Sequence, residues 1–168
     1  MATMTLSYGT PAAFTLDLTS LGSSADFTAG RESDVIDNST NKYVDALVSG
    51  SVVVGTTPAI NTTIAVFVYA QHNDTPAYQD VFDGTGSAET VTSAGVLAGV
   101  VRLLGSMKVD STTTDREYWL APPAVAPLFG GILPKRWGLF ISHNTGVALK
   151  STLNTGKFYH TGIKYDMA

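Results

Sequence analysis

Apolar and polar residues alternate with a period of two in several short runs along this chain, and turn-forming residues separate the runs. Phe14, Leu16 and Leu18 alternate with Thr15 and Asp17, which predicts a strand with one buried face. Tyr43 to Val54 carries β-branched residues and ends at Gly55, a second strand. Thr62 to Gln71 is the clearest. Ile64, Val66, Val68 and Ala70 share one face, and Ala65, Phe67, Tyr69 and Gln71 share the other. Both faces are mostly apolar, so this strand is expected to be covered on both sides. Glu117–Ala121 and Phe158–Tyr165 read as further strands. Arg136 to His143, then Asn144-Thr145-Gly146, then Val147 to Leu149, reads as a late β-hairpin, because Asn and Gly both take positive φ cheaply.

One apolar stretch reads two ways. In Val96 to Val109, the residues Leu97, Val100, Val101, Leu103 and Leu104 allow helical spacing. Gly95, Gly99 and Gly105 would each cost a helix about 1 kcal/mol against Ala, so a strand is predicted.

The polar segments set the organisation. Met1 to Pro11 is small, polar and punctuated by Gly and Pro; it reads as a flexible or extended arm, with residues 1–13 outside the domain. Thr19 to Lys42 is a long polar loop, of a length that usually carries function or contacts, and a helical turn or strand near Asp34 to Asp37 fits inside it. Asp74 to Ser87 holds Pro76, Asp83-Gly84 and Gly86 and predicts a loop with a turn. Pro122, Pro123, Pro127, Gly130, Gly131 and Pro134 mark an irregular crossover. With no internal repeat and no linker, residues 14–168 are expected to form a single all-β domain, an antiparallel β-sandwich. The long loop and the crossover favour jelly-roll or Greek-key topology over a meander.

Composition narrows the function classes. The 168 residues are 44% hydrophobic and 14% charged, against about 25% charged in ordinary soluble domains. Ser and Thr make up about a fifth of the chain. Such a surface suits burial against partner subunits, and equally a Thr-rich β-protein in solvent. Net charge is −4, and Lys135-Arg136 is the single adjacent basic pair, so no nucleic-acid partner is expected. Cysteine is absent, which excludes disulfides and thiolate metal sites. No signal peptide and no run near ~20 apolar residues is evident, so no membrane partner is expected. The sequons at Asn38, Asn61 and Asn73 read as chance matches in a Thr-rich chain.

The candidate chemistry is thin. His72, His143 and His160 sit at no metal-ligating spacing, and His143, beside a turn, reads as structural. No G-x-S-x-G elbow marks a nucleophile among the many Ser and Asp. Asp74, Asp80, Asp83 and Glu89 could gather around calcium but do not match the D-x-[DN]-x-[DN]-G loop, so they read as turn acids. Trp119, Trp137, Tyr118 and Phe140 could form a sugar-stacking platform. Burying each ring is worth roughly 1.5–3 kcal/mol, which favours a core role. Gly84-Thr85-Gly86 is too short for a phosphate cradle. No catalytic, cofactor-binding or metal residue is assigned, and no cofactor is expected.

Four segments carry a resemblance. They are Gly30-Arg31-Glu32-Ser33 with Val35 to Tyr43; Thr63 to Asp74 with Pro76-Ala77-Tyr78; Asp80 to Thr85 with Ser87-Ala88-Glu89-Thr90; and Leu128 to Phe140 running into His143-Asn144-Thr145-Gly146. From about Gly30 onward the chain resembles a family of small virion structural proteins of tailed bacteriophages. The resemblance implies a non-enzymatic protein made in the host cytoplasm and located in the virion, with the major capsid protein or other virion proteins as partners and a homo-oligomeric state. The leading expectation is a capsid decoration (cement) protein that binds the assembled head, with Met1 to Pro11 and Thr19 to Lys42 making contact. The alternatives are a tail or neck component, or a carbohydrate-binding β-sandwich module.

Overall fold

The computed structural model describes residues 3–73, 75 and 77–167. In chain order the elements are β1 (Met4–Tyr8), β2 (Ala12–Ala13), β3 (Ala29–Glu32), β4 (Ile36–Asp37), β5 (Asp45–Val53), β6 (Thr62–Ala70), β7 (Ala88–Thr90), α1 (Ala94–Val100), β8 (Arg102–Val109), β9 (Glu117–Leu120), a 3-10 turn (Ala126–Phe129), β10 (Arg136–His143) and β11 (Phe158–Met167). They form two antiparallel sheets. One runs β1-β11-β5-β9, with β2 also on β11; the other runs β7-β3-β10-β6-β8, with β4 also on β10. The fold is an all-β sandwich.

The core lies between the sheets, where Val48 and Val52 of β5 meet Ile64, Val66 and Val68 of β6 and Leu139 and Ile141 of β10. Trp137 is fully buried there, with the Phe14 ring edge-on at 5.5 Å. Period-two alternation predicts this placement, and β6 has both the predicted faces. Ile64, Val66 and Val68 enter the core, while Tyr69 and Phe67 enter a second apolar cluster on the outer side of the sheet.

That second cluster joins Tyr69, Phe82, Val91, Leu97, Val101 and Phe140. Tyr69 and Phe82 stack at 4.6 Å, and Phe82 meets Phe140 edge-on at 5.3 Å. Phe82, Val91, Leu97 and Val101 all come from the chain between β6 and β8. This connection covers the outer face of its own sheet.

Three local expectations need correction. The late hairpin does not form. Arg136–His143 is a strand, but it is flanked by β6 on one side and by β3 and β4 on the other, so no edge is left for residues 147–149. The Asn144-Thr145-Gly146 turn instead sends Leu149 across to bridge Val54. Among the described residues, no strand pairs with its immediate neighbour in sequence.

Val96 to Val109 is not strand throughout, because α1 occupies Ala94–Val100 before β8 begins. Ser93 caps the helix, its Oγ accepting from Val96 N at 3.2 Å, and Leu97 is buried in the outer cluster. Tertiary burial offsets the glycine cost. The third correction concerns Phe14, Leu16 and Leu18. They are buried as alternation predicts, yet the segment reaches its neighbour by a single bridge, Asp17 to Thr155, and by scattered backbone bonds rather than a continuous strand.

The polar stretch 19–42 holds two strands, β3 and β4. β4 falls within the Asp34 to Asp37 stretch singled out above, whereas β3 has no alternating apolar signature.

Candidate functional site

The histidines occupy separate environments. His143 is fully buried; its Nδ1 lies 2.9 Å from Thr145 Oγ1, and its Nε2 lies 3.0 Å from the carbonyl of Leu21. That carbonyl can only accept, so Nε2 carries the proton. Burial holds the ring's pKa below its ordinary value. The imidazole ties the end of β10 to the 19–24 segment. His160 is half-buried between Phe14 and Trp137, and burial lowers its pKa too. His72 reaches Gln79.

The acids are engaged in turns. Asp80 accepts from Thr92 N at 2.9 Å and Thr92 Oγ1 at 2.6 Å. Asp83 accepts from Thr85 N at 2.9 Å and Thr85 Oγ1 at 2.6 Å. Glu89 accepts from Ser87 Oγ at 2.7 Å. Asp74 lies outside the described residues. Among the described residues no three His, Asp or Glu side chains gather to hold a metal ion.

The four aromatics do not assemble. Trp137 and Phe140 are fully buried and Tyr118 nearly so, whereas Trp119 is 70% exposed. A sugar platform built on all four is therefore impossible.

Two further places stand out. The first is Glu32, on β3 and fully buried. Its Oε1 accepts from Asp83 N at 3.2 Å and lies 3.3 Å from Ser87 Oγ, while Oε2 is buried without a partner. Burial, reinforced by the Asp83 carboxyl, pushes its pKa up to about 7. Next to it the Tyr69 hydroxyl donates to the carbonyl of Ser33 at 3.0 Å. Glu32 thus anchors the turn that carries Phe82 over the sheet. No pattern in the sequence marks it, since an acid in a polar stretch reads as solvated.

The second place is the outer surface of the β1-β11-β5-β9 sheet. Phe158 and Gly50 face the core together, so Tyr159 points outward, as does Trp119 beside the inward Tyr118. β5 pairs with β11 only as far as Ile163, and beyond that point β11 is held by β1 alone. The two strands form a ribbon that overhangs the sandwich. Its register places Met4 opposite Met167, Leu6 opposite Tyr165 and Tyr8 opposite Ile163 on one face. Thr5 faces Asp166 and Ser7 faces Lys164 on the other. The ribbon is therefore amphipathic.

Its polar face is internally satisfied: Ser7 Oγ donates to Asp166 at 2.5 Å, and Lys164 pairs with Asp166 at 3.1 Å. The Ser7 hydroxyl and the Lys164 ammonium hold the Asp166 carboxyl below the usual carboxylate range. The apolar face is bare. Met4, Leu6, Tyr8, Tyr165 and Met167 are each more than half exposed. A depression of about 490 Å³ continues it, lined by Leu6, Val44, Asp45, Ile163 and Tyr165 against Ala126, Pro127 and Gly131 of the crossover. The ribbon's root is fixed by close packing. Tyr43 lies across Gly162, where a Cβ would come within 2.2 Å of the ring.

The ribbon's outward residues thus form an exposed apolar face with no charge among them. The sequence predicts a strand over Phe158–Tyr165; which of its sides faces solvent is set by the pairing with β5 and β1.

Comparison with protein-family models, with curated proteins and with solved structures finds no match to the chain. Among the described residues no helix is long and apolar enough to cross a membrane.

Proposed function

We propose that this protein is a non-enzymatic structural component of a tailed-bacteriophage virion, a capsid decoration (cement) protein that binds the assembled head as an oligomer. The observation that carries the reading is the bare apolar face of the β1–β11 ribbon, on a chain already poor in charge. The major capsid protein is the partner that would cover it. Repetition over a lattice multiplies a modest contact, so one small patch per subunit suffices. The acidic net charge and the scattered basic residues support a role without nucleic acid, and the reading includes no membrane partner.

The strand order supports a jelly-roll reading of the sandwich. Successive strands switch sheets from β2 to β3, β4 to β5, β5 to β6, β8 to β9, β9 to β10 and β10 to β11, the interleaving that two nested Greek keys produce.

Copy number tests the assignment. Quantitative mass spectrometry of purified particles, scaled to the major capsid protein, should return a count comparable with that protein. A handful of copies would move the chain to the tail or neck, and absence from particles would end the virion reading. The glycan-binding alternative retains one supporting observation, the exposed Trp119. Glycan-array binding that Trp119→Ala abolishes would favour it.

A further inference from the structure

We propose that two copies of this chain join edge to edge through β1, antiparallel across a two-fold axis at Leu6. Among the described residues the two main sheet paths end in β1 and β9 and in β7 and β8, with the two-residue strands β2 and β4 lying beside β1 and β3 on β11 and β10. Three of the four end strands carry the features that keep an edge from pairing with another chain. β9 contains Glu117 and follows Arg116; β7 contains Glu89; β8 contains Arg102 and Lys108 and has a register break against β6 at Val66/Phe67. β1, Met4-Thr5-Leu6-Ser7-Tyr8, contains no charge and no proline, and its ladder to β11 is unbroken over all five residues. It is a regular, uncharged edge paired on one side by β11.

The sequence of β1 is complementary to itself in one direction. Set antiparallel about Leu6, Met4 meets Tyr8 of the second copy and Thr5 meets its Ser7. Apolar residues meet apolar ones on one face, and hydroxyls meet hydroxyls on the other. The charges behind them agree with this register. Asp166 stands behind Thr5 and Lys164 behind Ser7. Across the axis, each polar row therefore begins with Asp166 of one copy and ends with Lys164 of the other, so unlike charges share a row. A parallel arrangement would put Asp166 in line with Asp166 and cannot close as a two-fold. The joined edge also merges the two apolar ribbon faces into one surface, which remains open to a further partner. The inference stands on the edge itself and not on the virion reading, so the two can fail separately.

The test uses the 168-residue chain in solution. Sedimentation equilibrium should show a monomer–dimer equilibrium. Leu6→Lys places like charges at the axis and should weaken it roughly tenfold or more, with thermal unfolding unchanged at concentrations where both proteins are monomeric. Mixing Leu6→Lys with Leu6→Glu should restore association as a heterodimer. The chain has no cysteine, so Leu6→Cys supplies a unique thiol. It should form a disulfide-linked dimer on mild oxidation. Met4→Cys, held far from its own counterpart, should not. A chain that stays monomeric, a Leu6→Lys dimer of undiminished affinity, no heterodimer on mixing, or cross-linking as efficient at Met4 as at Leu6 would overturn the proposal.

Discussion

The two sheets of this sandwich share one core but differ on their outer faces. The β7-β3-β10-β6-β8 sheet covers its outer aromatics with its own chain: the segment between β6 and β8 lays Phe82, Val91, Leu97 and Val101 over Tyr69 and Phe140. The β1-β11-β5-β9 sheet presents Met4, Leu6, Tyr8, Tyr159, Tyr165, Met167 and Trp119 outward, and all seven are exposed. The chain thus has a way to bury apolar sheet surface and applies it to one sheet only.

The largest expected contrast is in stability. Phe82→Ala should cost about 3 kcal/mol in chemical denaturation, because it empties the centre of the outer aromatic cluster. Tyr165→Ser, also an aromatic truncation on an outer face, should stay within about 0.5 kcal/mol. Equal losses at the two positions would erase the distinction.

Glu32 sharpens the contrast, since it anchors the cover. Its folded pKa of about 7 exceeds the ordinary value of 4.5, so the folded state holds the proton more tightly than the unfolded chain. The stabilisation this gives is complete below about pH 4.5 and is lost as pH rises through 7. Glu32→Gln removes the charge that must otherwise be buried at high pH. Denaturation should find the variant more stable than the parent by about 2 kcal/mol at pH 8, with the gap closing toward pH 5. A constant gap across that range would contradict the assignment.

A smaller effect belongs to the helix that completes the cover. Ser93→Ala removes its cap and should cost about 1 kcal/mol, read as a lower midpoint with an unchanged slope. The smallest effect on the free protein, and the largest on assembly, is expected at the bare face. Tyr165→Asp should leave stability within about 0.5 kcal/mol while weakening binding to capsids more than about tenfold. Unchanged capsid binding would remove the ribbon from the contact.

The β-rich class and the main core were legible because alternation is a local pattern with a local cause. Ile64, Val66 and Val68 against Phe67 and Tyr69 announced a strand covered twice, and that is how β6 sits. The absence of a hairpin after β10 was not legible. Asn144 and Gly146 say that the chain can reverse, whereas β3 and β6, distant in sequence, already occupy both edges of β10. α1 was misjudged for a similar reason: the glycine cost is local, and the burial of Leu97 that offsets it is tertiary. Glu32 carried no signal, because only its surroundings make it unusual. The interaction face lay half in view. The strand over Phe158–Tyr165 and a contact role for Met1 to Pro11 were expected, but the ribbon exists only because β11 outruns β5 and meets β1.

The central claim is that the apolar face of the ribbon is covered in the assembled particle. Hydroxyl-radical footprinting tests it directly, because Met4, Tyr8, Tyr165 and Met167 are reactive reporters placed on that face. The account predicts strong labelling of all four in the free protein and strong protection in intact particles, with Leu103 at the opposite sheet's edge labelled equally in both. Equal labelling of the ribbon in free protein and particles, or protection confined to Leu103, would contradict it.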